Sequence, residues 1–350
     1  MPYVTCAGPP PGRHGHHPGT HQIMGRASGK RLARGRGADD RPSLFPAAEF
    51  ARMRWPMAGS DWRQVRASIN SPPAPMIGGH LMGRGKTMLS IVIPYYNERD
   101  YLPATLHSLG RQTNRNFQLI LVDNASDDGS GDIARAVMAD YPDIETQFLH
   151  NAVPGQLPTL EHGLSRVTTP YVASCDADTL YPPHYVGRCL DLFASAGDGA
   201  KPDNRVVGVM AIDLYAPVEH AASRRRIAKI IQKSQIFSSQ CHSGGYAQAY
   251  CTEVLRAVGG FESAGWPYLL YDHELYERVR RQGQIRYCAS HYCFPSDRRV
   301  DRKSVGWTWA ERTVYRFTPS AGKGWFFYQF LAKRFARRGL IQAKLRDRDF

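Results

Sequence analysis

No apolar run in this chain approaches the roughly 20 residues of a membrane-spanning helix. Its first residues also lack the apolar core of a secretory signal, so the expected location is cytoplasmic. A Cys-x2-Cys pair is missing too. The seven cysteines are odd in number and follow no framework spacing, which points to a reducing compartment. Cys241, Cys251, Cys288, His291 and Cys293 could be drawn together as a zinc cluster, yet only Cys288 and Cys293 are close in sequence. Ordinary buried thiols are the expectation.

Acidic residues are scarce relative to basic ones, giving a net charge of +14. The imbalance sits at the ends. Residues 1–87 hold 13 Lys/Arg against 4 Asp/Glu, and residues 323–350 hold 8 against 2, whereas residues 88–322 hold 24 against 25. A nucleic-acid-binding body would be basic on its own face, so no specific nucleic acid is expected as a partner. With 350 residues and 42% hydrophobic content, the chain can bury one large core with appendages.

Residues 1–87 contain 13 Gly and 11 Pro, with His14, His16 and His17 crowded together. They cannot bury enough apolar surface to offset their ordering entropy. They are read as a disordered basic extension upstream of a native start near Met82 or Met88. The segment from Gly78 to Thr87 has the wrong spacing for a phosphate loop and precedes a strand instead of following one.

From Leu89 the pattern changes. Apolar runs at 89–93, 118–122 and 170–174 alternate with helical stretches near 100–110, 128–141 and 157–167. Shorter strands are expected at 144–149 and 205–212. This alternation predicts a βαβ series and a mostly parallel sheet flanked by helices. A basic helix (219–237), a Ser/Gly loop (238–245) and an α+β half follow, the latter with a helix from Tyr271 to about Gln282 and a strand at 284–288. The expected domains are the extension 1–87, a catalytic body 88–300 and a basic, aromatic helical segment 301–350.

In open parallel sheets, ligands bind beyond the carboxyl ends of the strands. Three such ends carry acid here: Pro94-Tyr95-Tyr96-Asn97-Glu98, then Asp123-Asn124-Ala125-Ser126-Asp127-Asp128-Gly129-Ser130, then Asp176-Ala177-Asp178. The last triplet ends the run Tyr171–Cys175 and offers hard oxygen ligands for Mg²⁺ or Mn²⁺. Asp347-Arg348-Asp349 has the same spacing without a preceding strand and carries no such meaning. Ser126 and Asp127 are expected to cap the next helix.

These segments, with Ser108-Leu109, Gln112 and Val258-Gly259-Gly260-Phe261, resemble the family-2 glycosyltransferases of the nucleotide-sugar-dependent GT-A fold, from Ser90 to about Arg299. The resemblance implies a GT-A-type, Rossmann-like α/β sheet with an α+β acceptor-side half. It implies that Asp123 binds the nucleotide base beneath the loop of Pro94, Tyr96 and Glu98. Asp176 would contact ribose or metal, and Asp178 would ligate the cation on the diphosphate. Asp272 of Tyr271-Asp272-His273-Glu274 would be the catalytic base, with Tyr271 standing where the family usually has Glu. His273, its neighbour on a helix, would point elsewhere. Glu274 and Glu277 fit i,i+4 pairs with Arg278 and Arg281.

Arg298 and Arg299 would clamp phosphate, and Gly260, Phe261 and Trp266 would shape the sugar and acceptor pocket. The implied reaction is an inverting, metal-dependent transfer of one sugar from a nucleotide sugar, UDP-linked by family frequency, to a polysaccharide or lipid-linked saccharide of cell-surface biosynthesis. The processive Gln-x-x-Arg-Trp signature is missing. A sugar nucleotidyltransferase would need a Gly-rich basic loop after the first strand, and a non-catalytic nucleotide- or RNA-binding protein would draw on the basic ends. The tail residues Trp325–Tyr328, Phe330 and Phe335, beside Lys333-Arg334 and Arg337-Arg338, suit an anionic membrane surface as a further partner.

Overall fold

Strand β1 (Leu89–Tyr95) is apolar along nearly its whole length, the composition of a strand covered on both faces. The computed structural model, which describes residues 87–195, 205–262, 264–296 and 307–341, places it inside the sheet. From there run α1 (Leu102–Gly110), β2 (Phe117–Asp123), α2 (Ser130–Ala139), β3 (Thr146–His150), α3 (Gln156–Ser165), β4 (Tyr171–Cys175), β5 (Thr179–Leu180) and α4 (Tyr185–Ala194). The second half holds β6 (Val206–Asp213), α5 (Ala221–Ile236), β7 (Ala247–Cys251), α6 (Thr252–Ala257), α7 (Tyr271–Arg280) and β8 (Gln284–Pro295). Then come α8 (Trp309–Phe317), α9 (Lys323–Trp325), a π-helical stretch Phe326–Leu331 and α10 (Ala332–Arg337).

The strands form one sheet in the order β3-β2-β1-β4-β7-β6-β8-β5. Pairings β1–β2, β1–β4, β2–β3 and β6–β8 are parallel, and β4–β7, β6–β7 and β5–β8 antiparallel. The sheet is therefore mostly parallel, with the mixed portion confined to the second half. Because β7 runs against its neighbours, its first residue lies opposite the last of β4, in the pair Cys175↔Ala247. The Ser/Gly loop before β7 thus reaches the same edge as the carboxyl ends of β1, β2, β4 and β6.

The helices beyond residue 307 share one core with the catalytic body. Tyr315, Phe326, Phe327, Leu331, Phe335 and Leu340 pack in the same buried cluster as Trp266, Leu275 and Val279. This corrects two expectations. The segment 301–350 does not stand apart as a unit of its own where it is described. Its Phe326, Phe327 and Phe335 face that core and not a membrane, because the body offers them more apolar surface than any one helix could. Residues 1–86 lie outside the described residues. No described helix is long and apolar enough to cross a membrane.

Candidate active site

Asp123 ends β2, and its Oδ1 accepts the Ser126 N–H at 2.9 Å. Two loops meet beside it. Asn97, held at φ 53°, donates its N–H to Ser126 Oγ (3.1 Å) and its Nδ2 to Asp127 Oδ1 (2.8 Å), and its Oδ1 accepts the Asp127 N–H (3.0 Å). Glu98 and Arg99 donate their N–H groups to Ser130 Oγ and Asp128 Oδ2 at 2.9 and 3.0 Å. Ser126 and Asp127 therefore do not cap α2 as expected. Gly129 occupies the N-cap with no side-chain bond, and both side chains are committed to the loop after β1 instead. Burial raises the Asp128 carboxyl, but bonds from Ser130 and Arg99 outweigh it and hold the group below its ordinary value. Pro94 lies inside β1, paired with Val122, so the covering loop begins at the half-buried Tyr96.

The Asp176–Asp178 turn is clamped from α1. Thr105 Oγ1 donates to the Ala177 carbonyl at 2.7 Å, and Ser108 Oγ accepts the Tyr181 N–H at 3.1 Å. Gln112 donates to the Pro182 carbonyl (2.7 Å) and accepts the Val186 N–H (2.9 Å). Tyr181 Oη accepts the Asp176 N–H at 3.0 Å and donates to the Tyr246 carbonyl at 2.7 Å. Burial pushes that phenol well above its usual range, so it keeps the proton this bond requires. The carboxylates themselves are 8% and 5% exposed for Asp176 and Asp178. Gln156 Nε2 donates to Asp176 Oδ1 at 3.4 Å, and Ser296 Oγ donates to Asp178 Oδ2 at 2.7 Å. Among the described residues no three His, Cys, Asp or Glu converge as a metal cage, and the described cysteines are free and buried. Two hard carboxylates on one turn fit a Mg²⁺- or Mn²⁺-type ion, which takes its remaining oxygens from water and substrate phosphate.

Asp272 lies in the first turn of α7, across the loop from this turn. Ser174 Oγ, two residues before Asp176, donates to the Gly245 carbonyl at 3.1 Å. A Cβ built on Gly245 would stand 2.6 Å from Tyr271 Oη and 3.6 Å from Asp272 Cβ. Asp272 is not a cap. Leu270, at φ 62°, occupies that position, and Asp272 Oδ1 accepts the adjacent His273 N–H at 3.0 Å. His273 turns into the core between Trp307 and Tyr315, with ring centroids 5.4 and 5.9 Å away, and burial lowers its pKa. Glu274–Arg278 (2.8 Å) and Glu277–Arg281 (3.0 Å) are ion pairs of α7 itself.

Two groups of expected residues fall elsewhere. Phe261 and Trp266, expected at the sugar and acceptor pocket, are buried in the core cluster. Trp266 donates its Nε1–H to the Leu269 carbonyl at 2.9 Å and packs edge-on against Phe327, since the C-terminal helices supply the apolar surface it needs. Gly260, at φ 57°, packs toward Glu161, whose Oε2 accepts the Phe261 N–H at 2.9 Å. Arg298 and Arg299 lie outside the described residues. Conversely, Thr105, Tyr181, Gln156 and Gly245 shape the site without having been singled out. Thr105 alone was findable, because it shares a helix face with Ser108 and Gln112.

Residues 90–259 match the family model "Glycosyl transferase family 2". An uncharacterized glycosyltransferase of Nostoc sp. is 26% identical over 212 residues, 58% of this chain and 59% of that protein. An undecaprenyl-phosphate 4-deoxy-4-formamido-L-arabinose transferase of Aeromonas hydrophila is 28% identical over 177 residues, 49% of this chain and 51% of that protein. The chain thus spans little more than half the length of these curated relatives. In fold it is similar to a mannosyltransferase of Pyrobaculum calidifontis solved with GDP-Man and Mn²⁺, at a TM-score of 0.51 and 19% identity, covering 79% of this chain and 73% of that one.

Proposed function

This chain belongs to glycosyltransferase family 2 and has the GT-A-type fold, and we propose that it moves one sugar from a nucleotide-sugar donor to a saccharide or lipid-linked saccharide acceptor with inversion. The observation that carries the reading is the clamped Asp176–Asp178 turn at the carboxyl edge of the sheet, with Asp123 on one side and Asp272 on the other. The solved mannosyltransferase of like fold holds a nucleotide sugar and Mn²⁺, and the Aeromonas relative acts on a lipid carrier by its name. Both support the donor and acceptor classes proposed.

In this reading Asp123 accepts a hydrogen bond from the base, and the loop from Tyr96 to Glu98 covers it. Asp176 and Asp178 would hold a divalent cation on the diphosphate, which supplies charge stabilisation as the leaving group becomes anionic. Asp272 Oδ1 is engaged by its neighbour, which leaves Oδ2 to take the proton of the acceptor hydroxyl. That oxygen attacks the anomeric carbon from the face opposite the nucleotide, the bond to the diphosphate oxygen breaks with its electron pair, and the anomeric configuration inverts.

A panel of nucleotide sugars scored for Mn²⁺-dependent hydrolysis tests the proposal. One donor is expected to be turned over, with Asp178→Ala lowering the rate at least about a hundred-fold, the scale of losing a charge-stabilising group. Asp272→Asn is expected to keep nucleotide binding while transfer falls by a factor of roughly 10²–10⁴, the range of general-base catalysis. No turnover of any donor, or full activity in Asp178→Ala, refutes the assignment.

A further inference from the structure

Helix α5 carries Arg224, Arg225, Arg226, Lys229 and Lys233 and no acid. Its inner face buries Ile230, with Ile227 and Ile231 packed beside it, against Ile212, Leu180 and Phe294. Of its cations, Arg226 is used inside the molecule: it pairs with Asp213 at the end of β6. Arg225, Lys229 and Lys233 have no ion-pair partner among the described residues; Arg225 and Lys229 are exposed and Lys233 is half-buried. Packed beside this helix is the end of α8. Arg316 lies over the Phe237 ring at 5.2 Å, and its carbonyl accepts Gln240 Nε2 at 3.0 Å. Lys229, Arg316 and Arg226 together depress the Lys233 amine, after burial, as uncompensated neighbours of like charge do.

The outer face of α8 continues the same surface. Arg312 and Arg316 are exposed there and unpaired among the described residues. Trp309 is 81% exposed, Phe317 78%, and Ile236 at the end of α5 63%. These are among the most exposed large apolar side chains described, and each stands next to the cations. A body whose charges nearly cancel over residues 88–322 thus concentrates on one face five cations that have no acidic partner among the described residues, and three bare apolar side chains.

We propose that the joined outer faces of α5 and α8 dock this protein onto an anionic lipid surface. Cations on a helix draw anionic headgroups, and an exposed Trp with aliphatic neighbours inserts at the headgroup–acyl boundary. A nucleic-acid strand would also attract the cations, but bare Ile236 gains nothing from base stacking. The Arg226–Asp213 pair ties α5 to the carboxyl edge of the sheet, so docking brings the site edge toward the lipid. The inference goes beyond the transferase reading and does not depend on it.

The test uses the full chain with vesicles of phosphatidylcholine alone or with about a third phosphatidylglycerol, in sedimentation at physiological salt. Wild type is expected to bind only the anionic vesicles. Arg225→Gln/Lys229→Gln/Lys233→Gln/Arg316→Gln is expected to lose roughly a hundred-fold or more in partitioning, from the usual contribution of each basic residue, with an unchanged melting curve. Lys333→Gln/Arg337→Gln in the tail is expected to lose under about five-fold. Brominated acyl chains should quench Trp fluorescence in wild type and markedly less in Trp309→Phe. Undiminished binding by the quadruple variant, or quenching indifferent to Trp309→Phe, overturns the proposal. So does binding to single-stranded RNA in preference to the anionic vesicles. Donor hydrolysis is not a readout here, so failure of the transferase reading would leave this result intact.

Discussion

Gly245 is the residue on which the two halves of the site depend for their spacing. Its carbonyl is held by Ser174 Oγ, and its missing side chain makes room for the buried Tyr271 hydroxyl. A methyl there would lie 2.6 Å from Tyr271 Oη. The tyrosine cannot swing away, because burial of the ring is nearly complete, so either the loop or α7 must shift. Overpacking of this kind costs about 1–3 kcal/mol. We expect Gly245→Ala to lower kcat at least about ten-fold through displacement of Asp272, by the sensitivity of catalysis to small misplacements. Adding Tyr271→Phe removes the clashing oxygen and should restore part of the loss. A double-mutant cycle on kcat and melting temperature measures the coupling, and strict additivity of the two changes would contradict this account. The same geometry gives Tyr271 a role: where acid was expected beside the base, a large ring fills the space behind the loop.

At the level of elements, much of the first half was legible because its physics is local. The largely apolar runs of β1, β2 and β4 read as buried strands, and polar residues at their carboxyl ends had nowhere to lie but the sheet edge. That made Asp123, Asp176 and Asp178 visible as candidates. The clamps were not visible, since Thr105 meets Ala177 across 72 residues and Ser296 meets Asp178 across 118, and no local pattern encodes such pairings. Strand β8 was expected at 284–288 but runs to Pro295. It bulges after Tyr287, rejoins β6 at Tyr292 and Cys293, and pairs with β5 only through Phe294 and Pro295. The C-terminal helices were misjudged for the converse reason: their aromatics have one use at a membrane and another in a core. Their attachment rests on Glu311, fully buried, which completes a capping box with Thr308 and pairs with Arg334 (2.8 Å) and Arg338 (3.1 Å). Glu311→Ala leaves two guanidinium groups without their acid and removes the cap. Breaking a buried pair costs about 3–5 kcal/mol, and partial exposure of both arginines places the expectation at the lower end. Differential scanning calorimetry should show the fall, with earlier proteolysis after residue 307. An unchanged melting temperature would mean that apolar packing alone holds the helices.

For the whole molecule, buried histidines set the response to acid. Burial holds His107 and His242 down to about 4 and His291 to about 3, and both ring nitrogens of His291 are without a hydrogen-bond partner among the described residues. The unfolded chain titrates these rings near 6.5. Between that value and the depressed ones, the unfolded state binds protons that the folded state refuses. Stability therefore rises with pH across this window and is lost as pH falls from about 6.5 toward 4 and 3. Each unit is worth about 1.4 kcal/mol for a fully buried ring, against a total of about 5–15 kcal/mol, so a few such groups exhaust much of the reserve. The melting temperature should be flat above pH 7 and drop steeply below 6. His291→Phe fills the same stacked position against Tyr185, whose centroid lies 4.8 Å away, without a titratable group. It should flatten the slope between pH 6 and 4 while changing stability little at pH 8. A slope equal to that of the wild type would assign the acid lability to carboxylates, whose protonation range lies lower, and would remove His291 from it.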